Sequence, residues 1–322
     1  MKNTQRVGLG LLAVAALMTS ACSNRNFALG GASATFQQAP TFNNKVDLLF
    51  IVDDSVAMNG YRQGMAAQAQ NIINRLNSMG MDYHIAVTAT SVGAGYLGGK
   101  FVGNTYMTRG TPNVASVLAS SFSFSAPGSD LEQGLMSMTG ALSSQNLALS
   151  GGGFLRSDAL LAVVAVSPDE DYSSGATSTY TTFLNNLKRP FPSGAPSWVF
   201  NYVGSQSLQS TCSAFVNVGS RYKQMVGINA GISEDICKTD WSVAITDIQV
   251  VINQIMTNYY LATQPNPATI VVTLNGQRVP NDATNGWTLQ NNGTQYYIAF
   301  HGSFTPTLYS TVNVSFTPAN AN

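Results

Sequence analysis

Residues 46–58 read VDLLFIVDDSVAM, an apolar run that ends abruptly in two acids and a serine. The run 46–52 is apolar apart from Asp47, which is typical of a strand buried on both faces of a parallel sheet. In α/β folds, ligands bind at the carboxyl ends of such strands. The stretch therefore predicts a strand buried on both faces, with Asp53 and Ser55 at its functional end.

Strand-like and helix-like segments alternate on the carboxyl side of this stretch. Apolar runs predict further strands at 83–88, 160–166 and 198–203. Apolar residues at helical spacing predict helices at 64–76, 130–142, 179–187 and 239–256. This alternation predicts an α/β fold, in which helices cover both faces of a mostly parallel sheet.

The pattern changes after the Gln-Pro-Asn-Pro segment 264–267. Only short β-type runs follow, and Asn275-Gly276 and Asn292-Gly293 lie between them as turn signals. Residues 265–322 therefore form a predicted small all-β module, resembling a sandwich. About 50 residues are marginal alone, so we expect the module to pack on the preceding domain.

The Asp53-x-Ser55 turn offers oxygen donors to a hard cation such as Mg²⁺. A serine hydroxyl can bind the ion directly, while an aspartate can act through a bound water. The same residues also suit a turn and a helix N-cap, so both interpretations remain open.

This stretch resembles the von Willebrand factor type A (VWA) family and its metal-ion-dependent adhesion site (MIDAS), as found in lipoproteins of Gram-negative bacteria. Asp53 and Ser55 match the first two places of the family motif Asp-x-Ser-x-Ser, and Ala57 stands at the third. Ser129 stands where the family has threonine at a helix start. The site therefore resembles a degenerate MIDAS.

The third family element is an aspartate just beyond a buried strand. Here Ser167-Pro168-Asp169 follows the run 160–166, and two registers put either Pro168 or Asp169 in that place. We prefer Asp169. The resemblance then implies a Mg-type divalent cation, bound directly by Ser55 and Ser129 and through waters by Asp53 and Asp169.

Similarity to these bacterial proteins extends over residues 45–317. It includes Glu132-Gln133-Gly134-Leu135 and the segment from Arg156 to Leu161. It implies a Rossmann-like VWA domain at 44–264, followed by the small β module.

The N-terminus looks like an export signal. Lys2 and Arg6 precede an apolar run at 7–18, too short to span a membrane comfortably. Residues 19–22 (TSAC) resemble a bacterial lipobox. We predict a signal peptide at 1–21, lipid on Cys22 and a flexible tether at 22–43. The anchor places the protein at the outer membrane; the alternative is an ordinary cleaved signal.

The other two cysteines, Cys212 and Cys237, remain as a pair in an exported chain. Such a compartment favours a disulfide between them, and two buried thiols are the alternative.

Composition excludes several function classes. With 15 cationic and 15 anionic residues the chain has no surplus for a basic face, so we do not expect nucleic-acid binding. The chain has only two histidines, His84 and His301. This small number argues against a His-rich zinc site and against a Ser-His-Asp triad, so we do not expect an enzyme. We expect an envelope lipoprotein that binds a protein ligand through the cation. The alternative is an envelope-assembly lipoprotein whose metal site is inactive and whose protein binding is metal-independent.

Overall fold

The computed structural model describes residues 44–124, 128–129, 131–150, 152–191, 196–207, 217–237, 241–293, 295–307 and 310–319. The predicted signal peptide, Cys22, the whole of the predicted tether and Cys212 lie outside these residues. Among the described residues, no helix is both long enough and apolar enough to cross a bilayer.

A six-stranded sheet forms the centre of the larger part of the chain. Its strands are β1 Lys45–Val52, β2 Asp82–Ala89, β3 Met107–Thr108, β4 Leu160–Ser167, β5 Trp198–Gly204 and β6 Ser233–Asp235. They lie in the order β3-β2-β1-β4-β5-β6, and only the pair β2–β3 is antiparallel. The predicted mostly parallel sheet is confirmed, and β1 is one of its two middle strands.

Seven helices are described: α1 Asn59–Ser78, α2 Val114–Phe122, α3 Gly134–Ala141, α4 Ser144–Leu149, α5 Thr177–Leu187, α6 Ser220–Val226 and α7 Trp241–Thr257. The prediction of a helix from residue 130 was wrong at its start, since α3 begins at Gly134. The backbone N–H of Gln133, the residue that precedes the helix, donates to the Thr90 carbonyl at 3.1 Å.

Alternate side chains of β1 enter two different cores, which explains its unbroken apolar sequence. Leu48 and Phe50 pack against α1, α2 and α7 on one face. Leu49 and Ile51 pack against α3, α5 and α6 on the other. Both faces of the sheet are therefore covered, as the sequence predicted.

The C-terminal part contains two three-stranded antiparallel sheets, ordered β10-β11-β7 and β12-β8-β9. The strands are β7 Tyr259–Tyr260, β8 Val271–Leu274, β9 Gln277–Val279, β10 Trp287–Asn291, β11 Tyr296–Phe300 and β12 Val312–Ser315. Asn275 and Gly276, both with positive φ, make the predicted turn between β8 and β9. The module has its own core, which includes Val272 and Ile298.

Candidate functional site

Asp53 directly follows β1 at the carboxyl edge of the sheet. It is 1% exposed, and its backbone N–H donates to the Val166 carbonyl at 2.9 Å. Oδ1 accepts the Ser55 N–H at 2.8 Å, and Oδ2 accepts the Ser167 hydroxyl at 2.9 Å. Burial raises the pKa of Asp53, and the hydrogen bonds from Ser55 and Ser167 oppose that rise. Neutral donors therefore hold this carboxylate in one orientation.

Ser129 lies against the same turn. Its backbone N–H donates to the Ser91 hydroxyl at 2.7 Å, and that hydroxyl donates to Asp54 Oδ1 at 2.6 Å. The neighbouring Gly128 packs so closely that a Cβ there would lie 2.4 Å from the Asp54 carbonyl oxygen. The Ser129 hydroxyl accepts the Leu131 N–H at 3.1 Å, so Ser129 belongs to a turn and not to the start of a helix.

Asp169 lies two residues beyond β4 and is 6% exposed. Its N–H donates to the Ser167 hydroxyl oxygen at 3.1 Å, and its Oδ1 accepts the Glu170 N–H at 2.7 Å. Because Ser167 also bonds to Asp53, one hydroxyl joins the two aspartate segments. Burial raises the pKa of Asp169 as well. Asp53, Ser55, Ser129 and Asp169 thus share one edge of the sheet, where Ala57 supplies no polar side chain.

A second acidic pair, Asp54 and Glu132, lies beneath this edge and was not among the predicted site residues. Both side chains are buried, and the single hydroxyl of Thr90 contacts a carboxyl oxygen of each. One hydroxyl carries one proton and cannot donate fully to two carboxylates. Burial, reinforced by the charge of Asp53, raises the pKa of Glu132 to about 9. Glu132 is therefore a neutral acid near pH 7.

Arg62 in the first turn of α1 supports the Asp53–Ser55 turn from below. Its Nη1 donates to the carbonyl oxygens of Asp53 at 3.0 Å and Ser55 at 2.9 Å. Its guanidinium lies 5.4 Å from the centre of the Phe124 ring. Burial lowers the Arg62 pKa, and the charges of the nearby acids oppose that change. The guanidinium thus offsets the acids while it fixes the turn.

The other two acids of residues 169–171, Glu170 and Asp171, bind the starts of two helices. Glu170 accepts the backbone N–H groups of Ser220 and Arg221, both at 3.0 Å, at the start of α6. Asp171 accepts the Leu135 N–H at 3.0 Å, at the start of α3, and its Oδ2 lies 3.4 Å from Arg221 Nη1. These two carboxylates are therefore engaged within the protein.

The oxygen donors at the edge suit a hard, partly hydrated cation of the Mg²⁺ type. Two serine hydroxyls and two aspartates are the right chemical types, and each retains unused lone pairs. No group of three or more His, Cys, Asp or Glu side chains is placed to hold a metal within the described part of the chain. A cation here would therefore depend on Ser55, Ser129 and water.

Three exposed apolar side chains lie close in sequence to these donors, and we call them the rim. They are Val56, Leu131 and Tyr172, with exposed fractions of 79%, 59% and 41%. Each lies one to three residues beyond one of the predicted site residues. Exposed apolar side chains mark interaction sites when they form a contiguous patch.

Comparison with solved structures finds distant similarities. Proximal thread matrix protein 1 (PTMP1) from the mussel byssus is 11% identical, with a TM-score of 0.41 over 69% of this chain and 50% of its own. The same protein with a zinc-occupied MIDAS motif is 13% identical, with a TM-score of 0.41 over 66% and 46%. The pilus adhesin SpaC from Lactobacillus rhamnosus GG is 12% identical, with a TM-score of 0.42 over 84% and 38%.

This chain thus spans half or less of each of those proteins. No family model and no curated protein matches it. The strand order, the mostly parallel pairing and the helices on both faces give the chain a VWA-like α/β fold with a small antiparallel module.

Replacing Glu132 with Gln should change how stability depends on pH. The folded-state pKa of about 9 exceeds the ordinary 4.5, so protonation favours the folded state. The stabilisation is complete below about pH 4.5 and is lost as the pH rises through about 9. Since Gln cannot ionise, Glu132→Gln should remove up to about 1.4 kcal/mol per pH unit of the slope across this window. Urea unfolding of the wild type and the variant at several pH values measures this slope.

A matched variant separates charge from hydrogen bonding in this experiment. Glu132→Leu also removes the ionisable group but takes away one of the two carboxyl groups that the Thr90 hydroxyl contacts. At pH 8 we expect the Gln variant to be more stable than the wild type and also more stable than the Leu variant. A Gln variant that keeps the full wild-type slope would show that Glu132 is ionised in the folded protein.

Proposed function

We propose that this protein is an envelope-anchored binding lipoprotein that docks a protein partner on the rim, above a weakened cation site. The observation that carries the proposal is the pairing of each oxygen-donor segment with an exposed apolar side chain. Val56 lies one residue after Ser55, Leu131 two residues after Ser129 and Tyr172 three residues after Asp169. Protein interfaces bury apolar side chains at their centre and keep polar groups at their edge, so these three side chains would supply the apolar contact.

The cation would be held by Ser55 and Ser129 directly, with Asp53 and Asp169 holding its waters. When bound, the cation would supply a positive centre that accepts a carboxylate from the partner. Ala57 removes one donor from the set, so we expect weaker binding than a complete motif would give. The positive potential would also relieve the unfavourable burial of Asp53, whose pKa is raised.

The alternative is an assembly role that does not use a cation. Arg62 favours it, because this buried guanidinium already offsets the charge of the acids below the turn. In that case the rim alone would bind the partner. A cation titration and a rim substitution distinguish the two roles.

Adding Mg²⁺ or Mn²⁺ to protein freed of metal with EDTA should raise its unfolding temperature. Ligand at about 100 times its Kd stabilises the folded state by about 2.7 kcal/mol. Ser55→Ala should remove the rise, because it removes a direct donor. Ser116→Ala, which alters an exposed serine on α2, should keep it. If the wild type shows no rise up to millimolar cation, the metal-dependent role is wrong and the assembly role stands.

Substituting the rim should weaken capture of an envelope partner by the purified protein. Leu131→Ser removes an apolar side chain that the folded state does not bury, so we expect unchanged stability and reduced capture. Leu149→Ser is the matched control, since Leu149 is 68% exposed on α4 and outside the rim. Capture that survives Leu131→Ser and Val56→Ser but fails with Leu149→Ser would place the interface elsewhere.

The anchor is proposed from the lipobox-like sequence that ends at Cys22. Cells expressing the wild-type chain should incorporate labelled palmitate into it, and Cys22→Ser should abolish this labelling. Labelling that persists in the variant would contradict the anchor. The predicted Cys212–Cys237 bridge stays part of the proposal; Cys237 is not a free thiol, and Cys212 lies outside the described residues.

A further inference from the structure

Ser91 is a fully buried serine that lies two residues beyond β2 and joins the two turns that carry the proposed direct cation donors. Its hydroxyl accepts the Ser129 N–H at 2.7 Å and donates to Asp54 Oδ1 at 2.6 Å. An N–H group can only donate, and a hydroxyl has a single proton, so the direction of both hydrogen bonds is fixed. We call this chain of two hydrogen bonds the Ser91 relay. It connects Ser129 to the residue that precedes Ser55.

The backbone of Ser91 is held as firmly as its side chain. Its N–H donates to the same Asp54 oxygen at 3.1 Å, and its carbonyl accepts the Gly98 N–H at 2.9 Å. The preceding residue, Thr90, donates its N–H to the Val52 carbonyl at 3.2 Å, which fixes this segment to the end of β1. The N–H, carbonyl and hydroxyl of Ser91 are all engaged. Ser91 is therefore a rigid support for the turns that it joins.

A steric contact limits the separation of the same two turns. A Cβ on Gly128 would lie 2.4 Å from the Asp54 carbonyl oxygen and 2.8 Å from the Ser55 nitrogen. Glycine therefore allows the backbone of one turn to lie directly against the other. The Ser91 relay holds Ser129 towards Asp54, and the Gly128 contact limits how near it comes. Together they fix the position of Ser129 relative to Ser55.

The position of these two serines matters because a small, hard cation tolerates little error in its ligands. Mg²⁺ requires near-octahedral coordination, with oxygen ligands at about 2.0–2.1 Å. Ligands that other contacts already hold in place need no further ordering when the cation binds. Ser91 is buried beneath the turns and engaged on both sides, so its contribution is to hold the ligands.

We propose that Ser91 is a positioning residue of the carboxyl edge. Its hydroxyl holds the turn of Ser129 at the distance from Ser55 at which both serines bind one cation. The inference rests on the proposed cation site, and it adds to that site a residue that supplies no ligand. It also gives Gly128 a role, since a side chain at that position would move the two donors apart.

Calorimetric titration of the full, metal-free chain with Mn²⁺ tests the proposal. Ser91→Ala removes the relay and should weaken Mn²⁺ binding about tenfold. Ser91→Thr keeps the hydroxyl and should bind Mn²⁺ as the wild type does. Gly128→Ala should also weaken binding, because its Cβ separates the turns. Ser197→Ala is the matched control: it removes another buried hydroxyl, which donates to the Lys188 carbonyl just before β5, and it should change nothing.

A second readout does not depend on a cation. Hydrogen exchange of the Ser129 amide, measured by NMR on the metal-free protein, reports whether the turn is held. In Ser91→Ala we expect this exchange to be about tenfold faster than in the wild type, because the N–H has lost its acceptor. In Ser197→Ala the rate should stay that of the wild type.

The two readouts separate failure of this inference from failure of the proposed function. Equal Mn²⁺ binding by the wild type and Ser91→Ala, or a Ser91→Thr variant as weak as Ser91→Ala, would overturn the inference and leave the cation site standing. A wild type that binds no Mn²⁺ would overturn the cation site, and with it the role of Ser91 in cation binding. Unchanged Ser129 exchange in Ser91→Ala would show that the relay does not hold the turn.

Discussion

The carboxyl edge of the sheet depends on the burial of acids without a matching number of buried cations. Asp53, Asp54 and Glu132 are each at most 2% exposed. Ionised carboxylates in such surroundings carry a large desolvation cost unless hydrogen bonds or charges offset it. Here backbone N–H groups, hydroxyls, one guanidinium and one retained proton provide the offset. Three turns converge at this edge because each supplies part of the hydrogen bonding that offsets the desolvation cost: 53–55, 128–129 and 167–169.

The sheet was predictable because its determinants are local. A strand covered by helices on both faces is apolar at most positions, and β1, β4 and β5 show this in their own sequences. The start of α3 was not predictable from its sequence, because a contact with Thr90, far away in the chain, holds Gln133 out of the helix. β3 also escaped prediction, since two residues carry no pattern.

The site was only partly predictable for a similar reason. Asp53 and Ser55 stand out because a turn of acid and hydroxyl follows an apolar run. The link from Glu132 through Thr90 to Asp54 joins segments that are distant in sequence, and no spacing indicates it. Arg62 is hidden among the polar residues of an ordinary helix face, although it is a rare buried cation. Long-range charge compensation leaves no periodic trace in a single sequence.

A buried aspartate lies at or near each end of β1, and the two carboxylates are stabilised in different ways. At the amino end, Asp47 is fully buried and paired directly with Arg156, whose Nε lies 2.8 Å from Oδ1. At the carboxyl end, Asp53 is equally buried, yet its oxygens accept only neutral donors, and Arg62 reaches its carbonyl and not its carboxylate. At the amino end, the Arg156 guanidinium therefore offsets the charge of the buried Asp47 carboxylate within the protein. At the carboxyl end, hydrogen bonds from neutral groups oppose the cost of burying the Asp53 carboxylate, and the Arg62 guanidinium lies nearby.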